Sequence, residues 1–253
     1  MKTLAVIPAR LGATRLPRKP LRLLAGLPLI ARVYERVASL GVADRCVVAT
    51  DSEDVAQAAR SAGAEVVLTS NRHPSGTDRV AEVAARRDFA DYGLIVNVQG
   101  DEPFVDGEAV RAATALVGHG HFPLGTVAAA AGPEILLRPD VVKVVRADDG
   151  RALYFSRAPI PYLRDPADAP ARDACVAQHI GVYAYERSAL AAWVALAPHP
   201  LERAERLEQL RPLAAGMAMG VAMIDAVPPG GIDTEEELAR ANAQWTELTV
   251  GRL

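Results

Sequence analysis

The first half of the chain alternates between two kinds of hydrophobic pattern. Short, nearly continuous apolar runs are typical of strands buried on both faces. Between them, apolar residues recur at the three- and four-residue spacing of a helix. This alternation predicts a mostly parallel sheet covered by helices on both faces. The predicted strands are Leu4–Ile7, Cys46–Ala49, Glu65–Leu68 and Leu94–Val98, and the predicted helices cover the apolar positions of 29–40, 55–62 and 80–84.

The pattern changes after about residue 120. Three strand-like runs follow without helices between them, and the Pro-, Ala- and Asp-rich stretch Pro161–Ala174 predicts an exposed loop. Near the C-terminus, Thr234 and Glu237 form a capping-box pair that predicts the start of the last helix. The other predicted elements are the strands Val141–Arg146, Ala152–Phe155, Ile180–Tyr185 and Val221–Val227 and the helices Arg187–Leu196 and Leu201–Leu210.

These patterns predict an α/β protein with two parts. Residues 1–120 together with 221–253 are expected to form the main body. Residues 121–220 are expected to form an inserted, smaller and more antiparallel subdomain.

Composition narrows the class of protein. Half of the 253 residues are hydrophobic, 23% are charged, and the net charge is −3, so a sizeable core is expected and nucleic acid is not an expected partner. Two cysteines exclude a disulfide framework and a Cys-rich zinc site. No apolar run approaches the ~18 residues of a membrane span, and no signal peptide is evident, so we expect a cytoplasmic protein without membrane insertion.

The loop after the first strand carries the first candidate chemistry. Pro8–Pro20 contains Gly12, a hydroxyl and several cations, among them Lys19, which is one of only three lysines beside 25 arginines. Ligands of α/β sheets bind where the strands end, and cations with loop amides suit a polyphosphate. The loop contains neither a P-loop nor a dinucleotide fingerprint. A solvated basic surface loop is the alternative, and the rarity of lysine in this chain favours the binding site.

Two acidic positions carry the second signal. Asp101 directly follows a hydrophobic strand and a glycine, and is well placed to hold Mg²⁺ against a bound triphosphate. Asp233, after the returning strand, could bring a second carboxylate to the same edge of the sheet. For both residues the alternative is a turn or helix-capping role.

The motifs taken together resemble those of one family. In chain order they read IPARLGATRLPRKPL, HPSGTDR, VNVQGDEP, YFSRAPIPY, QHIGVYAY, LERAERLEQLR and GIDTEEEL. The chain resembles the 3-deoxy-D-manno-octulosonate (Kdo) cytidylyltransferases, the CMP-Kdo synthetase family, through about residue 240. The resemblance implies a three-layer nucleotidyltransferase fold and a homodimer that couples CTP to Kdo with Mg²⁺, releases diphosphate and serves lipopolysaccharide biosynthesis.

The resemblance also implies roles for individual residues. It places CTP binding in the main body, and acceptor binding and dimerisation in the inserted subdomain. The expected catalytic residues are Lys19, Arg10, Asp101 and Asp233, of which the two carboxylates hold the metal. The CTP contacts are expected from Arg10, Arg15, Lys19, Ser75, Gly76, Thr77, Gln99, Gly100 and Asp101, and the contacts to the acidic acceptor from Arg157, His179, Tyr183, Glu208 and Gln209.

Two departures from the family pattern keep other functions open. Gln178 and Leu27 stand where the family often has basic residues. Gln178 lies beside the expected acceptor residues, so transfer of CMP to another small acid, such as a phosphonate, is an alternative. A metal-dependent glycosyltransferase is a more distant alternative, because no D-x-D motif follows the strand Leu94–Val98. A non-catalytic nucleotide-binding module ranks last, because the carboxylates and Lys19 are all present.

Overall fold

The structure is a computed structural model that describes residues 1–12 and 15–249. Its strands are β1 (Lys2–Ala9), β2 (Leu23–Leu24), β3 (Leu27–Pro28), β4 (Arg45–Thr50), β5 (Glu65–Leu68), β6 (Tyr92–Asn97), β7 (Leu124–Ala130), β8 (Lys143–Arg146), β9 (Ala152–Ser156), β10 (Ala177–Glu186) and β11 (Met219–Ile224). Its α-helices are α1 (Leu29–Ser39), α2 (Glu53–Ser61), α3 (Gly76–Ala85), α4 (Gly107–Gly118), α5 (Ala169–Asp173), α6 (Arg187–Ala195), α7 (Pro200–Glu205), α8 (Leu210–Ala214), α9 (Glu235–Ala243) and α10 (Trp245–Thr249).

The chain divides into two units. Unit 1 comprises Met1–Val110 with Pro228–Leu253, and unit 2 comprises Arg111–Val227. Within the described residues, no helix combines the length and the apolar character needed to cross a membrane.

Unit 1 is built on parallel strands. They lie in the order β6-β1-β4-β5, and every neighbouring pair is parallel. The middle of β1 is fully buried from Leu4 to Ile7, as its continuous apolar run predicts. The intervening helices α2 and α3 begin at serines whose hydroxyls accept a backbone N–H, so each start is encoded locally. The parallel sheet predicted from the alternating pattern is confirmed.

Unit 2 is mostly antiparallel. Strand β10 pairs antiparallel with β7 and β8, β8 pairs antiparallel with β9, and β11 lies parallel to β7. The three runs predicted as strands before residue 190 all form strands, with bounds that differ by a few residues. The capping box at Thr234 and Glu237 is also confirmed, at the start of α9 in unit 1.

Two predictions about local structure are wrong. The stretch Pro161–Ala174 is not a simple loop, because Asp165 caps a 3₁₀ turn at Pro166–Asp168 that continues into α5. The segment Leu201–Leu210 is not one helix. Arg206 adopts a left-handed conformation (φ 55°), which ends α7, and α8 begins only at Leu210.

Two of the longer elements have no counterpart among the sequence predictions. Helix α4 and strand β7 lie in an alanine- and glycine-rich stretch, where the hydrophobic residues follow neither the helical nor the strand periodicity clearly. Alanine is depleted in strands, and the sequence LGTVAAA gains its strand conformation from pairing with β10 and β11.

Candidate active site

The carboxyl ends of β1 and β6 bring two of the predicted loops to one edge of unit 1. Val6 pairs with Asn97 in the parallel register, and the Val98 N–H continues the pairing by donating to the Val6 carbonyl at 3.2 Å. The loop beginning at Arg10 and the loop 98–103 therefore leave the sheet side by side. We call the predicted CTP and metal residues of unit 1 the nucleotide edge; they are Arg10, Arg15, Lys19, Ser75, Gly76, Thr77, Gln99, Gly100, Asp101 and Asp233.

Glycine allows the backbones of the nucleotide edge to approach closely. A Cβ on Gly100 would lie 2.5 Å from the Pro8 carbonyl oxygen, well inside contact distance. A Cβ on Gly76 would lie 3.4 Å from Pro8 Cγ and 3.9 Å from the Gln99 side-chain oxygen. Gly76 and Gly100 thus pack against Pro8 at the end of β1, with the Gln99 side chain beside Gly76.

Helix α3 contributes its N-terminus to the nucleotide edge. The Ser75 hydroxyl accepts from the Asp78 N–H at 3.2 Å and donates to the Asp78 carboxylate at 2.6 Å. Thr77 is buried in the first turn. The capping role of Ser75 fixes where the helix begins, and the backbone amides of the first turn provide partial positive charge at that end.

Lys19 joins the two predicted metal-binding carboxylates. Its ammonium donates to Asp101 and, at 2.7 Å, to Asp233, although the two acids are far apart in sequence. Arg15 donates to the other oxygen of Asp233 at 2.7 Å. The structure therefore brings Arg15, Lys19, Asp101 and Asp233 together. Arg10 lies exposed one residue beyond β1.

These ion pairs set the charge states of the nucleotide edge. Burial alone would lower the pKa of Lys19, but Asp101 and Asp233 outweigh it and raise that pKa above its ordinary value. Burial would likewise raise the pKa of Asp233, but Lys19 and Arg15 hold it below its ordinary value. The lysine is a cation and Asp233 an anion at neutral pH.

Asp233 is held in place by hydrogen bonds on both sides. The Ile232 N–H donates to the Asp101 carbonyl at 2.9 Å, which ties the two acidic loops together. The Asp233 N–H donates to Glu237 at 2.7 Å, within the capping box of α9. The helix-capping alternative and the metal-binding hypothesis are thus compatible, because the cap orients the acid beside it.

Glu102 is a residue that sequence reasoning missed. Its carboxyl group accepts from the Gly231 N–H, and burial, followed by the nearby Asp101 and Asp233, raises its pKa to about 8. A Cβ on Gly231 would lie 3.1 Å from Glu102 Oε1, so the two loops pack closely here as well. In the sequence, the only signal for Glu102 was its place in the motif VNVQGDEP.

The predicted acceptor residues lie in unit 2, and we call them the acceptor cluster: Arg157, His179, Tyr183, Glu208 and Gln209. Arg157 follows β9 directly, and its guanidinium is bound on one side by main-chain oxygens. Nε donates to the Glu205 carbonyl and Nη1 to the Pro139 carbonyl, both at 2.8 Å.

A bulge in β10 brings two members of the acceptor cluster into contact. Four residues of a regular strand span about 13 Å. The register shifts between Ile180 and Tyr183, so that His179 opposes Ala128 while Tyr183 opposes Thr126, only two positions away. The rings of His179 and Tyr183 consequently lie 5.5 Å apart. Tyr183 and Tyr185, two residues apart on β10, share a face of the strand, with their rings stacked at 6.1 Å.

His179 is a neutral ring with a defined tautomer. Thr126 Oγ1 lies 2.9 Å from His179 Nε2 and donates its single proton to the Val182 carbonyl at 2.8 Å. We therefore assign the ring proton to Nε2, which leaves Nδ1 as an acceptor. Burial lowers the pKa of His179 to about 3, so the ring is uncharged at neutral pH.

Glu208 and Gln209 lie between α7 and α8, which the predicted single helix did not anticipate. Gln209 is buried and Glu208 is half-buried. Glu208 contributes to raising the pKa of Tyr183, after burial and Tyr185, which places it near that phenol. Sequence reasoning also missed Glu205, which contacts Arg157 through both its side chain and its carbonyl. Its only signal was its position in LERAERLEQLR.

Comparison with known proteins relates the chain to cytidylyltransferases. A family model described as cytidylyltransferase matches residues 4–219. The 3-deoxy-manno-octulosonate cytidylyltransferase of Gemmatimonas aurantiaca is 60% identical over 248 residues, which cover 98% of this chain and 96% of that protein.

Solved structures agree with this relationship. The structure of a CMP:2-keto-3-deoxy-manno-octonic acid synthetase complexed with CTP matches with a TM-score of 0.88 and 37% identity, over 98% of this chain and 99% of that one. The inositol-1-phosphate CTP transferase from T. maritima has the same fold, with a TM-score of 0.67 at 13% identity over 99% and 97% of the two chains. The chain therefore belongs to the cytidylyltransferase family and, within it, to the 3-deoxy-manno-octulosonate cytidylyltransferases.

Proposed function

We propose that the protein transfers the cytidylyl group of CTP to Kdo, forming CMP-Kdo and diphosphate. The observation that carries the proposal is the convergence of Lys19, Asp101 and Asp233 at the end of β1, beside the glycines that pack against Pro8. The names of the 60% identical relative and of the CTP-bound structure support the same reaction.

The nucleotide edge has the charges that a triphosphate needs. Arg10, Arg15 and Lys19 are the cations we assign to the phosphate oxygens, and the first turn of α3 adds backbone N–H groups. In an in-line attack on the α-phosphorus, negative charge accumulates on the leaving diphosphate. Cations held in advance at that position stabilise the charge without further reorganisation.

The donor set of the nucleotide edge fits Mg²⁺. Asp101 and Asp233 direct hard oxygen ligands at one cation, which in this structure is the Lys19 ammonium. Within residues 1–12 and 15–249, no group of three or more His, Cys, Asp or Glu side chains is arranged to hold a metal. Mg²⁺ commonly binds through one or two carboxylates together with substrate phosphates. We therefore assign Asp101 and Asp233 as its ligands alongside CTP, where the ion would supply charge neutralisation at the phosphates.

The acceptor cluster has the groups that a sugar acid requires. We assign the Arg157 guanidinium to the carboxylate of Kdo, because a planar fork matches a carboxylate with two parallel hydrogen bonds. The neutral His179 ring, Tyr183, Glu208 and Gln209 are assigned to the hydroxyl groups. The attacking oxygen is the anomeric hydroxyl, which loses its proton to solvent and bonds to the α-phosphorus of CTP as the bond to diphosphate breaks.

The proposal also includes a cytoplasmic homodimer. The two cysteines, Cys46 and Cys175, are both free thiols. Size-exclusion chromatography with light scattering tests the dimer directly.

An acceptor screen tests the proposed reaction. Purified protein is incubated with CTP, Mg²⁺ and one acid at a time, and diphosphate release is recorded. Release with CTP and Kdo, at rates well above those with ATP or GTP, is the expected result. Release with a small phosphonate but not with Kdo would show the correct chemistry with a different acceptor, and release without any acceptor would contradict a transferase.

A further inference from the structure

Arg157 is fixed at four points by unit 2. Besides the two guanidinium bonds described above, its backbone N–H donates to the Glu205 carboxylate at 2.9 Å, and its carbonyl accepts from Lys143 Nζ at 2.5 Å. A guanidinium has five N–H donors, and in Arg157 Nε and Nη1 each donate one hydrogen bond to a carbonyl. The three remaining N–H donors are one on Nη1 and two on Nη2, and these are the two nitrogens that can bind a carboxylate with two parallel bonds.

Lys143 contacts Arg157 from a fully buried position. Its relative exposure is 0%, which is rare for a lysine. Its three N–H donors are all used by main-chain carbonyls, at 2.9 Å from Arg138, 2.8 Å from Val141 and 2.5 Å from Arg157. One ammonium thus ties the end of β9, where Arg157 follows, to the segment before β8.

Glu205 holds Arg157 from the other side. Its two carboxylate oxygens accept separate donors, the Ser156 hydroxyl at 2.6 Å and the Arg157 N–H at 2.9 Å. Its own carbonyl accepts from Arg157 Nε. A carboxylate that accepts a hydrogen bond at each of its two oxygens fixes the backbone of residues 156–157 more firmly than a neutral acceptor would.

We propose that Glu205 and Lys143 are positioning residues that fix the Arg157 guanidinium in the single orientation that receives the carboxylate of the acceptor. This inference rests on the proposed function, because it takes Arg157 as the acceptor-binding group. It adds that acceptor affinity depends on two residues that do not themselves touch the acceptor.

The test compares two glutamates on the same helix. Glu205→Gln keeps the shape of the side chain but offers only one oxygen where two donors now bind. Glu202→Gln is the matched control, because Glu202 also lies on α7 but accepts from the His199 N–H and from Arg211, at 2.5 Å, rather than from Arg157. For each variant, the KM of the acceptor, the KM of CTP, kcat and the melting temperature are measured.

Glu205→Gln is expected to raise the acceptor KM by at least about tenfold while the CTP KM changes by less than about twofold. Glu202→Gln breaks a largely buried ion pair with Arg211 and is expected to lower the melting temperature while leaving both KM values within about twofold of wild type. The Arg157→Lys variant lacks the planar guanidinium. In that background, Glu205→Gln should raise the acceptor KM by less than about twofold over the Arg157→Lys variant alone. A residue with only a structural role would add the same loss in both backgrounds.

Lys143→Met provides a second, independent variant, with the same selective rise in the acceptor KM expected. Equal effects of Glu205→Gln and Glu202→Gln on the acceptor KM would overturn the inference, as would equal losses for acceptor and CTP. Failure of both Glu205→Gln and Lys143→Met to fold would also overturn it, since the residues would then be structural. If wild-type protein does not use Kdo, the proposed acceptor is wrong, and the same comparison made with the acid that it does use still decides the role of Glu205.

Discussion

The nucleotide edge of unit 1 and the acceptor cluster of unit 2 are built in opposite ways. In the nucleotide edge, charged side chains bind one another. Lys19 pairs with Asp101 and Asp233, and Arg15 pairs with Asp233, which lies more than two hundred residues away from both cations in sequence. In the acceptor cluster, the histidine is neutral, and Arg157 binds main-chain oxygens rather than an acid side chain through its guanidinium.

The difference corresponds to the two proposed ligands. A triphosphate with a metal ion brings large charges of both signs, so side chains that are already paired with each other can exchange those partners for the ligand. A sugar acid brings one carboxylate and several hydroxyls, which require fixed directions more than charge. We therefore expect mutations in unit 1 to act on CTP and turnover, and mutations in unit 2 to act on the acceptor.

The largest effect is expected from the carboxylates. Asp101→Asn and Asp233→Asn should each lower kcat by at least about a hundredfold, because each removes a charged oxygen ligand and leaves Lys19 with one anion fewer. Steady-state kinetics at several Mg²⁺ concentrations provide the measurement. Asp54→Asn is the control, since Asp54 pairs with Arg18 on the exposed surface of unit 1. Near-wild-type turnover of either active-site variant at limiting Mg²⁺ would refute the metal assignment.

Arg157→Lys should act on the acceptor and hardly at all on CTP. Lysine keeps the charge but not the fork, so the acceptor KM should rise or kcat fall by about ten- to a hundredfold, and Arg157→Ala should be nearly inactive. Kinetics with each substrate varied in turn separate the two effects. If binding of CTP and of the acceptor were weakened equally, Arg157 would belong to the phosphate site or to the scaffold. The proposed distinction between the two regions would then be wrong.

Gly100→Ala tests the close packing at the end of β1. The added Cβ would lie 2.5 Å from the Pro8 carbonyl, so the loop carrying Asp101 must shift. We expect a loss of about 1–3 kcal/mol in the free energy of unfolding, together with weaker CTP binding, measured by urea denaturation and calorimetry. Gly118→Ala is the control, because a Cβ added there would have nothing within 4 Å. Unchanged CTP binding in Gly100→Ala would show that this close approach does not shape the nucleotide edge.

The smallest effect concerns the neutral histidine. His179 has a folded-state pKa of about 3, below the ordinary value of 6.5, so the unfolded chain binds its proton first as the pH falls. Stability from this residue is therefore complete above about pH 6.5 and is lost between about pH 6.5 and 3. His179→Gln should remove from the free energy of unfolding a pH dependence of at most about 1.4 kcal/mol per pH unit in this window, measured by urea unfolding at several pH values. The same slope in both proteins over this range would mean that His179 is not buried as a neutral ring.

The sequence was most informative where structure is encoded locally. The capping box of Thr234 and Glu237 and the continuous apolar run of β1 each depend on neighbouring residues, and each was predicted correctly. Strand β7 depends instead on its pairing partners, and the end of α7 depends on a single left-handed arginine. Neither leaves a pattern along the chain.

The candidate site shows the same division. Asp101 and Asp233 were found because each follows a strand in a motif of recognisable chemistry, and the structure brings both to Lys19. Glu205 and Lys143 were missed because their importance comes from contacts with Arg157 that only the folded chain creates. The rarity of lysine marked Lys143 as clearly as Lys19, but its buried position could not be read from a strand-like run alone.

Identifying the product tests the proposed reaction directly. Wild-type protein is incubated with CTP, Kdo and Mg²⁺, and the reaction is followed by ³¹P NMR. We expect a new phosphodiester signal from CMP joined to the sugar acid, appearing in equal amount with diphosphate and only when Kdo is present. Diphosphate released with CMP but with no phosphodiester, or no reaction of CTP in the presence of Kdo, would contradict it.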